Sequence, residues 1–152
     1  MSVAGQGKIG SVKTSLLAGY TYIKPKYTDY DSTFTDRVTT ADYNVLKYRS
    51  RHSVKFDLQG EYKIFTLGFS TIYNSRIEAI DPLLSILSRI GEYQDNYQQN
   101  GYTRVDLRLA VQATKQLKVS LLGENILNSE YSVRPGLLDG PRSVALRLDL
   151  VL

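Results

Sequence analysis

Two stretches near the end of the chain decide how it folds: Leu117-Lys118-Val119-Ser120-Leu121-Leu122-Gly123-Glu124 and, after a loop, Ser143-Val144-Ala145-Leu146-Arg147-Leu148-Asp149-Leu150-Val151-Leu152. In the first, Leu117, Val119 and Leu121 share one parity while Lys118, Ser120 and Glu124 take the other. In the second, Val144, Leu146, Leu148, Leu150 and Leu152 stand opposite Ser143, Arg147 and Asp149. Successive side chains of a strand point to opposite faces, so each stretch predicts a strand with one apolar and one polar face. Strands of soluble sandwiches usually run to about five or six residues. A tilted strand needs about nine to eleven to cross a bilayer; the second stretch, of ten residues, meets that, and the first, of eight, is expected to cross as well.

Outward from this pair the same alternation recurs. In residues 102–114, Val105, Leu107, Leu109, Val111 and Ala113 stand opposite Arg104, Asp106, Arg108 and Gln112. In residues 51–62, His52, Val54, Phe56, Leu58 and Tyr62 oppose Ser53, Lys55, Asp57, Gln59 and Glu61. Beyond a short link at Lys63-Ile64, Phe65, Leu67, Phe69, Thr71 and Tyr73 oppose Thr66, Gly68, Ser70, Asn74 and Arg76. So tight a link predicts an antiparallel hairpin. The first alternating stretch, residues 8–24, sets Val12, Leu16, Ala18, Tyr20 and Tyr22 against Lys13, Ser15, Gly19 and Thr21, and Pro25 ends it. The expectation is six strands. Lys13, Lys55, Asp57, Glu61, Arg104, Asp106, Arg108, Lys118, Glu124, Arg147 and Asp149 all lie on the parity opposite the apolar one.

The connections carry a second regularity. Short turns at 62–64 and near Gln116 alternate with long loops at 25–50, 77–101 and 128–141. In an antiparallel meander alternate connections emerge at one end, so the long loops gather on one side, as the external loops of an outer-membrane barrel do. Tyr20, Tyr22 and Tyr73 fall near the long-loop end of the apolar faces, and Tyr62 and Phe65 near the short-turn end, the pattern of two interfacial girdles. Within one long loop, Asp81 as N-cap, Pro82 at the first helical position, and Leu83, Ile86, Leu87 and Ile90 before Gly91 predict a short helix. It is too short to span a bilayer.

Composition narrows the function. The chain has 152 residues, 42% of them apolar, and no apolar run near twenty, which excludes a helical membrane span but not a membrane barrel, whose strands are only half apolar. Without cysteine there is no disulfide, zinc-thiolate site or thiol nucleophile. Net charge is +4, with basic residues scattered among acids, so no nucleic-acid partner is expected. The single histidine, His52, lies on an apolar parity at a strand end, where an interfacial structural role fits better than catalysis. With no second histidine the serines have no triad in reserve, and the strand carboxylates all have basic neighbours on their own face. Gly5-Gln6-Gly7 lacks the rest of a phosphate loop. No enzyme and no cofactor are expected. Residues 1–7 lack a basic start and an apolar core, so an export signal is expected to lie upstream.

The loop from Asn125 carries more specific information. Asn125-Ile126-Leu127-Asn128-Ser129-Glu130-Tyr131, then Arg134-Pro135-Gly136, then Gly140-Pro141-Arg142 resembles the C-terminal end of TonB-dependent outer-membrane receptors. These end in an Asn-Leu-Phe/Leu-Asn-x-x-Tyr, an Arg-Pro-Gly and a Gly-x-Arg before a last alternating strand. That family usually closes on an aromatic residue, where this chain has Leu152. The resemblance implies an antiparallel up-and-down transmembrane β-barrel segment in the bacterial outer membrane, part of a barrel of about twenty-two strands. Six strands cannot close a barrel alone, and in hydrocarbon every backbone group must be paired. Residues 1–152 are therefore expected to be the C-terminal part of a receptor for active uptake of a scarce nutrient, an iron–siderophore complex or cobalamin. Its implied partners are membrane lipid and lipopolysaccharide, the remaining barrel and plug, and the TonB complex through an N-terminal part.

The motif residues Asn125, Asn128, Tyr131, Arg134, Pro135, Gly136, Gly140, Pro141 and Arg142 read as structural, with Asn128, Pro135, Gly136, Gly140 and Pro141 shaping the last external loop. Lys47, Arg49 and Arg51, near the outer interface, are candidates to meet lipopolysaccharide phosphates, with a solvated basic loop as the bland alternative. Tyr43, Arg89, Tyr93 and Tyr97 on long loops are candidates to touch a ligand, against simple loop packing. Two other readings compete: a small passive or adhesive outer-membrane barrel completed by oligomerisation, and a soluble lipocalin-like barrel with its apolar residues inside. A heat-modifiable oligomer would favour the first, and monomeric solubility without detergent the second.

Overall fold

The computed structural model describes residues 1–27, 44–80, 101–133 and 139–151, and within them every regular element is a β-strand. The strands are β1 (Ser2–Ile9), β2 (Val12–Tyr22), β3 (His52–Tyr62), β4 (Phe65–Asn74), β5 (Tyr102–Gln112), β6 (Leu117–Glu124) and β7 (Ser143–Leu150). They form one antiparallel sheet in the order β1-β2-β3-β4-β5-β6-β7, an up-and-down meander that does not close into a barrel. The helix expected from Asp81 lies outside the described residues, as does Leu152.

There are seven strands rather than six. Residues 2–9 form β1, and the stretch taken as one strand from Lys8 breaks at Gly10-Ser11. The apolar parity of β1 is Val3, Gly5, Gly7 and Ile9, so its two central positions carry no side chain and show no alternation. The hairpin turn does leave a mark: Ile9 pairs with Val12, which leaves Gly10 and Ser11 as the two central residues, and only Gly10 has positive φ, at 60°. That is the pattern of a type II′ turn, whose twist suits a tight hairpin. The added strand also continues the alternation of connections, since a short turn now precedes the first long loop.

Register puts all seven apolar parities on one face. Leu16 lies opposite Leu58, Leu58 opposite Phe69, Phe69 opposite Leu107, Leu109 opposite Leu121, and Leu121 opposite Leu146. Every Lys, Arg, Asp and Glu of the strands lies on the other face. Among the described residues no second layer packs on the apolar face: Leu67 is 56% exposed, Leu109 51% and Leu146 67%. The buried apolar side chains among the described residues are instead Val45, Ala79, Ile80 and Tyr131, all at the long-loop end. There, Leu46 N–H donates to the Pro25 carbonyl and Tyr48 N–H to that of Ala79, both at 2.8 Å, while bridges join Lys26 to Val45 and Ser50 to Ile77. A small cap thus sits over one end of a single-layer sheet.

Backbone hydrogen bonds identify what the two open edges present. Met1 and Tyr20 exchange both of their backbone bonds at 2.9 Å, so Val3, Gly5, Gly7 and Ile9 bond inward to β2, and Ser2, Ala4, Gln6 and Lys8 turn N–H and C=O outward. At the other edge Val151 N–H bonds the Gln116 carbonyl, which leaves Val144, Leu146, Leu148 and Leu150 with outward backbone groups. With an odd number of strands in the meander, β1 and β7 run in the same direction.

Candidate functional site

The polar face carries ion pairs both across and along its strands. Arg108 on β5 places Nη2 2.5 Å from Oδ2 of Asp57 on β3, spanning β4 at Gly68. Arg104 donates from Nε to Oδ1 of Asp106 at 2.9 Å and lies 4.0 Å from Glu124. Arg147 pairs with Asp149 at 2.7 Å. All are partly solvated, so each contributes little to stability alone. Together they neutralise charge along a wet wall. Among the described residues no three His, Asp or Glu side chains gather to hold a metal ion.

The Asn125 loop folds back on this face. Asn125 is buried with φ 49°, a conformation Asn tolerates better than most residues. Its N–H donates to Asp106 Oδ1 at 2.8 Å, its Nδ2 donates to the carbonyls of Ser129 at 2.9 Å and Gly140 at 3.3 Å, and its Oδ1 accepts from Ser129 N–H at 3.0 Å. One side chain therefore ties both ends of the loop together. Asn128, with φ 52°, accepts from Arg142 N–H at 3.0 Å. Tyr131 stacks on Tyr102 with ring centres 4.6 Å apart and accepts from Arg104 at 3.3 Å. Gly140 and Pro141 precede β7. Arg134, Pro135 and Gly136 lie outside the described residues.

Of the basic trio, Arg51 is paired with Glu78 at 2.6 Å, while Arg49 lines a hollow on the polar face and Lys47 does not. Tyr43, Arg89, Tyr93 and Tyr97 lie outside the described residues. The hollow, of about 360 Å³, sits where β2, β3, β4 and β5 meet the cap. Thr21, Ser53, Lys55, Asn74 and Tyr102 reach it from the strands, and Arg49 and Arg76 from the connecting segments. Asn74 Nδ2 donates to Tyr102 Oη at 2.7 Å, and Ser75 Oγ accepts from His52 N–H at 3.1 Å. Sequence reasoning missed this convergence, since Lys55 and Arg76 meet only through the β3–β4 register. The pairing of Lys55 with Ile72, two residues from Asn74, was in principle readable from the tight hairpin.

On the apolar face the tyrosines and Phe65 lie towards the strand ends, while Phe56 and Phe69 pack edge to face at mid-strand with ring centres 6.1 Å apart. Tyr20 Oη is 2.8 Å from His52 Nδ1, and the Tyr22 and His52 rings lie 5.2 Å apart. At the opposite end Tyr62 pairs with Phe65, and Lys63 Nζ sits 5.2 Å from the Tyr62 ring. Between them the hydroxyls of Thr14 and Thr71 donate to the carbonyls of Gly7 and Arg104 rather than standing free. Comparison with protein-family models and with curated protein sequences finds no match.

Proposed function

We propose that this chain is a barrel segment of an outer-membrane receptor for TonB-dependent active uptake of a scarce nutrient, of the iron–siderophore or cobalamin class. The observation that carries the membrane part is the apolar face shared by all seven strands, free of charge and left exposed by the described residues. In water such a surface far exceeds the few hundred Å² of apolar patch a soluble monomer tolerates. In a bilayer it is the required exterior. On β4 the girdle residues Phe65 and Tyr73 are separated by about 26 Å along the strand, or about 20 Å along the normal at barrel tilts, near the apolar band of about 25 Å. The receptor part is supported by the Asn125–Arg142 motif, whose Asn125, Asn128 and Tyr131 make the bonds that shape the loop. In this reading lipid meets the apolar face, lipopolysaccharide meets the rim, and the remaining barrel strands and plug adjoin the open edges; catalysis has no part in it.

The strand count weighs against closure by two copies. Because β1 and β7 run in the same direction, two copies sharing a barrel axis would meet through parallel ladders. An antiparallel barrel needs an odd number of further strands, which a longer receptor barrel of even strand number supplies. The exposed apolar face weighs against the lipocalin-like reading, whose fold places such a face inside.

Phase partition in a detergent that separates on warming tests the proposal. The chain should enter the detergent phase with β-sheet circular dichroism. A monodisperse monomer in the aqueous phase would overturn the membrane reading. Cells expressing only these residues should show no nutrient uptake.

A further inference from the structure

Three cations converge on the hollow at the long-loop end of the polar face, with no carboxylate among the described residues that line it. Arg49 comes from the segment before β3, Lys55 from β3 itself, and Arg76 from the segment after β4. Among the described residues no Asp or Glu lines the hollow and none of the three forms an ion pair. Nearby carboxylates are engaged elsewhere: Glu78 with Arg51, Asp106 with Arg104 and Asp57 with Arg108. Elsewhere on this face, arginines lie beside carboxylates. Here three like charges share one concavity, an arrangement that raises its electrostatic potential and favours an incoming anion.

We infer that this hollow is a binding site for a small polyanion bearing carboxylate or phosphate groups. The inference rests on the membrane reading above and narrows its substrate class to anionic ligands. Arg49 and Arg76 supply planar donor forks that match oxyanions, and Lys55 supplies a point charge from the wall. Ser53 and Thr21 add hydroxyl donors, while the Asn74–Tyr102 hydrogen bond fixes the floor. The volume of about 360 Å³ is at the lower end of small-ligand pockets. Its place at the long-loop ends of four strands, on the face turned from lipid, puts it where a ligand arriving from outside would first meet the wall.

The test uses the full chain in detergent micelles, titrated calorimetrically with citrate and with inorganic phosphate, and separately mixed with lipopolysaccharide-bearing vesicles. Saturable citrate or phosphate binding is expected, weakening as salt rises. Arg49→Gln, Lys55→Gln and Arg76→Gln should each weaken it about three- to tenfold, and the triple variant should abolish it. Lys118→Gln, at the short-turn end, should leave it unchanged. Absence of saturable binding overturns the site, as does equal weakening by Lys118→Gln or a response only to lipopolysaccharide. Detergent partition and circular dichroism of each variant report the membrane reading separately: a chain that partitions but does not bind defeats this inference alone.

Discussion

Arg108 lies over Gly68 to reach Asp57, so that one guanidinium joins three neighbouring strands across the polar face. A Cβ at Gly68 would stand 2.7 Å from Arg108 Nε and 3.2 Å from Nη2. The glycine is therefore the groove in which the arginine rests. Gly68→Val should displace the side chain and separate the pair. The pair is about 40% exposed, which limits the loss to about 1 kcal/mol. Denaturant unfolding in detergent should show that Gly68→Val and Asp57→Ala are less damaging together than their sum, and strict additivity would sever the link.

Asn125 is buried and makes three side-chain hydrogen bonds. Asn125→Ala leaves the Ser129 and Gly140 carbonyls without their donor and Ser129 N–H without its acceptor. A loss of about 2–3 kcal/mol is expected from unfolding midpoints. Asn125→Gly should lose nearly as much although it accepts φ 49° freely, because the side-chain bonds outweigh the backbone preference.

Two backbone positions should respond in opposite directions. Gly101 has φ 70°, and a Cβ there would come 2.2 Å from the Asn74 carbonyl oxygen, which is rigid backbone. Gly101→Ala should destabilise the β4–β5 junction by more than about 2 kcal/mol. Lys63 occupies the first central position of its two-residue turn with φ 53°. Lys63→Gly should stabilise by about 0.5–1 kcal/mol, read as a raised melting temperature in detergent, even though the contact over Tyr62 is lost.

The two faces should tolerate charge very differently. Leu109→Arg puts a cation in the middle of the apolar face and should cost about 2–4 kcal/mol for chain folded in vesicles. Ala110→Arg, one residue on but facing the other side, should cost under about 1 kcal/mol. Equal tolerance at both positions would mean that water, not lipid, lies on both sides.

Much of this architecture was legible from alternation, because a two-residue period reports faces directly and the sheet keeps that period from Val12 to Leu150. The location of the tight turn at Lys63-Ile64 was equally readable. β1 was not, since Gly5 and Gly7 occupy the positions where apolar side chains would have shown the period. The C-terminal motif drew attention to Asn125 and Asn128, but the hydrogen bonds each makes within the loop come from the fold alone. The Arg108–Asp57 pair could not be read, because it depends on the register of β3, β4 and β5. The Lys55 side of the hollow followed from the tight β3–β4 hairpin, and only its long-loop contributors, such as Arg49, did not. Arg51 was grouped with Lys47 and Arg49 by spacing alone, and only the fold sets it against Glu78.

The central claim is that the apolar face contacts lipid. The chain has no cysteine, so single cysteines placed along β5 at positions 106–111 can each carry a nitroxide label without interference. In vesicles, labels at Leu107, Leu109 and Val111 should be accessible to oxygen and shielded from a water-soluble nickel reagent, while those at Asp106, Arg108 and Ala110 should lack that lipid signature. Labels at Leu107 and Leu109 that are shielded from both reagents, or that meet the nickel reagent freely, would contradict the account.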